Sequence, residues 1–195
     1  LLRASTAAPT FFPPEAITLG GDTFLFVDGG VTPYNNPALL AALMATLPAY
    51  RMNWPTGADA LHVTSIGTGG HRTHLAKRVA DKTYLWDALS LVIPSLIDDA
   101  AIHQDMICRI LGDCLHGSAL DSELGALDTP TLLSRSEQKF SYVRYNCMLD
   151  SRDVGNPMTP SELQLDNLRA LERLQAAGRD YAARTVKREH LFGRA

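Results

Sequence analysis

Near the start of the chain, a short apolar run twice breaks off at glycine and is followed by a helix signal. Residues 23–27, TFLFV, carry β-branched and aromatic side chains without polar alternation, the pattern of a strand buried on both faces of a parallel sheet. The run stops at Asp28-Gly29-Gly30, a turn signal. Asn36-Pro37 then supply an N-cap and first-turn pair for a helix over 38–46, closed by Pro48. Residues 61–66, LHVTSI, repeat the order: they end in Gly67-Thr68-Gly69-Gly70, and helical spacing follows over about 84–111, with Pro94 expected to kink or break it. Strand then helix, repeated, predicts an α/β fold, a three-layer α/β/α sandwich with a mostly parallel central sheet. Ligands in such sheets gather at the carboxyl ends of strands, where Asp28 and Gly67 both fall.

Further on, residues 140–147 (FSYVRYNC) read as an edge or late strand. Residues 163–184 place Leu165, Leu168, Leu171 and Leu174 at helical spacing with charges between them, a helix expected to pack on the sheet. Residues 117–136 and 150–160 are polar and punctuated and read as loops; no repeat or low-complexity linker divides the chain. With 195 residues, 46% hydrophobic and 20% charged, it has the material for one sizeable core, so one domain or most of one is expected.

The net charge of -3, with both signs mixed along the chain, argues against a nucleic-acid partner. Cys108, Cys114 and Cys147 are odd in number and form no CxxC pair, so reduced, buried thiols are expected rather than disulfides or a zinc site. The opening LLRASTAAPTFFPP lacks the pattern of a signal peptide, and the most apolar run, ALSLVIPSLI, is interrupted by Ser90, Pro94 and Ser95, so no membrane span is predicted. Alanine and arginine richness without a targeting signal is compatible with a bacterial cytoplasmic protein. The chain starts at Leu1 in what reads as a packed segment, which raises the expectation of sequence upstream.

Among residues able to do chemistry, Asp28 stands out. A carboxylate closing an apolar strand, followed by two glycines, faces a crevice while partly desolvated, a setting that suits a general base. The glycines allow a sharp turn and close approach of a substrate or another segment. A plain Asx turn at a strand end is the competing account, since DG turns are common. Gly67-Thr68-Gly69-Gly70 invites a dinucleotide reading, but the third glycine of GxGxxG would fall at Arg72, and no acidic residue closes a following strand. His71 and His74, with His103 and His116 farther on, could be imagined as metal ligands, but no acidic or cysteine partner has ligand spacing around the first pair, and all read as exposed loop histidines. Ser65 lies inside an apolar strand and Ser118 in a loop without a second glycine; both read as structural. The apolar stretch 85–97 reads as core rather than as an acyl-chain contact. No metal or organic cofactor is implied.

Three segments, taken in order, carry a family resemblance. Ala4-Ser5-Thr6-Ala7-Ala8-Pro9 followed by Phe11-Phe12, then Phe26-Val27-Asp28-Gly29-Gly30 with Asn35-Asn36-Pro37, then Ser65-Ile66-Gly67-Thr68-Gly69 together resemble the patatin-like phospholipases. The resemblance is most specific over residues 1–70. It implies a serine and aspartate dyad in which a serine on a GxSxG elbow attacks an ester, the aspartate of the DG[GA] motif takes its proton, and a GGGxRG loop holds the oxyanion. Asp28 matches that aspartate, and Gly29 and Gly30 its supporting turn. No serine here has glycine both two residues before and two after it, and no GGGxRG run exists, so nucleophile and oxyanion hole are absent from this chain. The resemblance therefore implies that residues 1–195 are the C-terminal portion of one patatin-like domain lacking its N-terminal part. The implied substrate is a lipid or fatty acyl ester, and the implied partners are the missing N-terminal half and, peripherally, a membrane. Alone, the chain should not hydrolyse esters. The rival reading is a noncatalytic patatin-like binding or scaffold module.

Overall fold

Gly20 and Gly21, at φ of 60° and 97°, turn the chain back on itself within two residues, a geometry that only glycine adopts readily at both positions of a primed turn. The turn sets the register of a hairpin. Strand β1 (Glu15–Leu19) pairs antiparallel with β2 (Asp22–Phe26), from Glu15 opposite Phe26 to Leu19 opposite Asp22. The computed structural model that shows this describes residues 1–9, 11–70, 85–129, 132–150, 154–163 and 167–191, with the backbone alone for 85–94. It divides into two compact units, Leu1–Trp54 with Arg78–Cys108, and Pro55–Lys77 with Arg109–Ala195.

In the first unit, the hairpin corrects the reading of residues 23–27 as a doubly buried parallel strand. β2 is antiparallel and exposed along its whole length. The adjacent Gly-Gly gives a local partner within two residues, and hairpin closure of that kind needs no long-range pairing. Ahead of the hairpin lies a single helical turn, α1 (Leu2–Ser5), with Ala4 and Ala7 buried beside exposed Leu1 and Leu2. Helix α2 spans Ala38–Thr46, the expected bounds, with Pro37 rather than Asn36 at the N-cap position. Asn36 is buried and its Oδ1 accepts from the Ala38 N–H at 3.4 Å, while Ala38, Ala42 and Ala45 form the buried stripe. Small side chains at i, i+4 and i+7 let the helix backbone approach its neighbours closely. Helix α3 (Leu85–Leu111) runs unbroken through Pro94, so the expected break is absent; one missing N–H does not end a helix with more than two turns on either side. His71, His74, Arg72 and Tyr84 lie outside the described residues, as do the side chains of 85–94.

The second unit holds a parallel sheet of β3 (His62–Ile66), β4 (Asp113–His116) and β5 (Ser141–Tyr145) in the order β3-β5-β4. β5 pairs with β3 from Ser141 opposite His62 to Tyr145 opposite Ile66. Residues 140–147 therefore supply the central strand rather than an edge, and the buried Tyr142 and Val143 show why the segment is so apolar. The chain is α/β, with the parallel sheet and flanking helices of the sandwich class that the strand and helix signals predict. Helix α4 (Leu171–Thr185) begins later than the predicted 163, after a 3-10 turn over Leu168–Ala170 in which Asn167 Oδ1 accepts from the Arg169 N–H. Leu165 lies outside the described residues. Leu174, Ala177 and Tyr181 of α4 pack against Cys147, Leu149, Val154, Met158 and Ala170, so this helix does join the core beside the sheet. The last helical turn is α5 (Arg188–Leu191).

Gly67-Thr68-Gly69-Gly70 continues β3 along the tail of β5. The Gly67 N–H donates to Tyr145 O at 2.7 Å and the Gly70 N–H to Cys147 O at 2.8 Å. A Cβ on Gly67 would coincide with Asn146 Oδ1, and one on Gly69, at φ 101°, would sit 2.7 Å from Leu149 Cδ1. The glycines are thus needed for the packing of two strand tails. Gly69→Ala, which meets both the dihedral and the Leu149 contact, is expected to destabilise the chain by about 1–3 kcal/mol in urea denaturation.

The three cysteines are buried, as expected. Among the described residues no helix is long and apolar enough to cross a membrane.

Candidate active-site aspartate

Asp28 follows the hairpin directly, and three contacts hold it. Its N–H donates to Ala7 O at 3.0 Å, its carbonyl accepts from the Val31 N–H at 3.3 Å, and its Oδ1 accepts from the Gly30 N–H at 2.7 Å. The aspartate thereby caps the 3-10 turn Gly29–Val31, with its own backbone at φ -55° and ψ 132°. Thr32 extends the arrangement: its Oγ1 donates to Gly29 O at 2.7 Å and accepts from the Tyr34 N–H at 3.1 Å, starting a second 3-10 turn, Pro33–Asn35. The segment from 28 to 36 is thus a run of short caps leading into α2. It fixes the direction of the carboxylate relative to the backbone.

Asp28 is half-buried. One carboxylate oxygen is engaged by Gly30, and among the described residues the other has no protein donor. A carboxylate oriented through one oxygen and open at the other can accept a proton from a group placed beside it. The two glycines have different roles from the expected sharp turn, because neither has a positive φ. A Cβ on Gly30 would press on Asp28 Oδ1 at 3.2 Å, whereas one on Gly29 would meet nothing within 4 Å. Gly30 is small so that the aspartate can fold over its N–H, whereas the position of a Cβ on Gly29 is uncrowded.

The Asx turn is thus present, and it leaves one carboxylate oxygen open among the described residues. Asp28, Gly29 and Gly30 come together in the first unit, while Ser65 and the Gly67–Gly70 run belong to the second. Ser65 is buried, and its Oγ accepts from Arg144 Nη1 at 2.7 Å. Ser118 presents its carbonyl to Arg109 Nη1 at 2.7 Å.

Two histidine arrangements have no counterpart in the sequence motifs. His62 Nδ1 lies 2.8 Å from Ser141 Oγ, and its Nε2 lies 2.9 Å from Thr64 Oγ1. Burial lowers the His62 pKa below the usual imidazole value. A serine beside a histidine suggests nucleophilic chemistry, but Ser141 is buried and opens β5 at the amino end of the parallel strands, the end opposite to where ligands gather. The second arrangement joins His116, predicted to be an exposed loop residue, to His190. His116 instead ends β4 and stacks on the buried His190 ring. Register in the parallel sheet created the first grouping and the docking of α5 the second, and periodicity could not have signalled either. His103 is exposed on α3, and no group of three or more metal-ligating side chains exists among the described residues.

Comparison with known proteins returns patatins of Solanum tuberosum. Patatin-1-Kuras 2 is 33% identical over 110 residues, covering 50% of this chain and 29% of its own length. Patatin-07 is 34% identical over 110 residues, covering 50% of this chain and 28% of its own. The chain thus matches well under half the length of these relatives, and the patatin resemblance carried by its motifs extends over about half of its residues. No family profile and no solved structure matches the chain.

Proposed function

We propose, from this chain's similarity to the patatins, that it is the aspartate-bearing part of a lipid acyl hydrolase, in which Asp28 is the general base of a serine and aspartate dyad. The observation that carries the reading is Asp28 itself: it stands in the DG[GA] motif, one oxygen fixed by the Gly30 N–H and the other open. The reaction is acyl transfer to water. Asp28 takes the proton of a serine hydroxyl as that oxygen attacks the ester carbonyl, then returns it to the leaving alcohol; a second round with water frees the acid. The serine and the oxyanion donors are expected from a GxSxG and GGGxRG segment preceding this chain in the same domain.

The exposed hairpin supports that division of labour. Phe24, Leu25 and Phe26 of β2 and Val27 after it are all exposed, with Leu25 at 73%. An apolar strand open on both faces is a surface for further sheet or helix to cover. The substrate class that follows is a lipid or fatty acyl ester, met at the periphery of a membrane or lipid aggregate.

A short-chain chromogenic ester tests the proposal. This chain alone is expected to give no turnover above buffer, and a natural polypeptide that joins it to a GxSxG segment is expected to hydrolyse the ester and to react covalently with a fluorophosphonate at that serine. The absence of any GxSxG serine within these 195 residues keeps one rival open, a noncatalytic patatin-like module. An inert longer polypeptide that takes up no fluorophosphonate would establish the rival instead.

A further inference from the structure

The C-terminal turn is fastened to the sheet by two imidazoles. His190 is the buried residue of α5, 7% exposed, and its ring stacks on that of His116 at 4.7 Å between centroids and 16° between planes. Its Nδ1 lies 3.0 Å from Tyr145 Oη on the neighbouring strand β5, which also takes a hydrogen bond from the Lys187 backbone. The Tyr145 ring is tilted against both imidazoles, with centroids 5.2 Å from His116 and 6.1 Å from His190. His116 Nε2 is buried without a hydrogen-bond partner among the described residues.

We propose that the stacked His116 and His190 rings form a pH-sensitive latch, which holds α5 on the sheet while both are neutral and releases it when either takes a proton. A charged imidazole must donate from both nitrogens. At His116, the buried Nε2 would then carry an N–H with no acceptor. At His190, Nδ1 would be fixed as a donor to Tyr145 Oη, which already accepts from the Lys187 backbone, so the phenol O–H could no longer point at the ring. Neutral rings stack without penalty, whereas two charged rings at this separation repel.

The surrounding charges oppose protonation at His116 and are divided at His190. Arg109, at the end of α3, and Lys187, just before α5, both disfavour a charged His116, and Lys187 disfavours a charged His190. At His190, Glu189, 4.0 Å from Nε2, favours the charged form more than Lys187 opposes it, and both side chains are exposed, so water weakens each. Burial is the larger influence on both rings, and both pKa values lie below the usual 6.5. A free tail therefore takes up protons before a docked one. The latch is complete above pH 6.5 and loosens as pH falls from there towards the lowered values of the docked rings.

Amide hydrogen exchange of residues 187–191 at pH 7.5 and 5.5, corrected for the intrinsic rate, tests this in the intact chain. Protection of the tail is expected to fall on the order of tenfold at the lower pH while β3 and β5 keep theirs. His116→Phe preserves an aromatic stack that cannot titrate and is expected to remove most of the difference. Should that variant fold poorly, imidazole proton titration of the unaltered chain gives a second reading, with both rings expected to titrate below 6.5 in step with loss of tail protection. Tail protection unchanged between the two pH values, or lost together with that of β3 and β5 in global unfolding, would overturn the latch. Titration of both rings at the ordinary value while the tail stays protected would do the same.

Discussion

Asp28→Asn, made in a polypeptide that joins this chain to a GxSxG segment and hydrolyses esters, is expected to lower kcat about 10²- to 10⁴-fold with KM little changed. The argument rests on what asparagine keeps. Its Oδ1 can still accept from the Gly30 N–H, as Asp28 Oδ1 does at 2.7 Å, and the backbone contacts to Ala7 and Val31 involve no side chain. The capping turn over Gly29–Val31 therefore survives, because asparagine caps as well as aspartate. What is lost is the second oxygen, replaced by an amide that donates protons and cannot take one. A loss confined to kcat, with an unchanged urea midpoint, is the signature of a missing base. Full activity in the variant would show that Asp28 is only the cap of its turn, and a parallel fall in stability would show that the carboxylate charge mattered to the fold. Asp28→Ala does not discriminate these cases, since it removes cap and base together.

The same residue shows how far the sequence could be read. Asp28 was legible because an apolar run, an aspartate and two glycines lie next to each other, so local chemistry sufficed. Helix α2 was legible to its ends because Asn36-Pro37 and Pro48 punctuate it. β3 and β5 were legible as apolar runs, but the placing of β5 between two neighbours was not, since strand order is decided by partners far away in sequence. β4, the four residues DCLH, carries an aspartate and a histidine and owes its strand conformation to pairing with β5. The reading of TFLFV failed for the opposite reason. Its composition fits a buried parallel strand, but Gly20-Gly21 immediately upstream offers a two-residue turn, and the hairpin that results leaves the run exposed. At the candidate site, the need for Gly30 came from the approach of the Asp28 side chain rather than from backbone freedom, which only the three-dimensional contact reveals.

Arg109→Met is expected to destabilise the chain by about 3–5 kcal/mol, a large share of the roughly 5–15 kcal/mol that holds an ordinary domain together. Arg109 is 4% exposed, at the end of α3, and its Nη1 donates to two loop carbonyls, Ser118 O at 2.7 Å and Ala126 O at 2.6 Å. The chain between β4 and β5 has little regular structure, so these bonds to a charged donor tie its first part to the helix end. Methionine fills similar space yet leaves both carbonyls without that donor, and a hydrogen bond to a charged group contributes about 1.5–3 kcal/mol. The sequence offers a check on the mechanism at Gly117, whose absent Cβ would stand 2.6 Å from the Arg109 guanidinium carbon. Gly117→Ala alone must push the guanidinium off its two acceptors and is expected to reproduce a good part of the Arg109 loss. In the Arg109→Met background the same alanine faces a flexible thioether and should cost much less. A double-mutant cycle in urea is therefore expected to show a coupling of about 1–3 kcal/mol between the two positions. Additive losses would mean that Gly117 is small for some other reason and that the loop does not depend on the guanidinium lying across it.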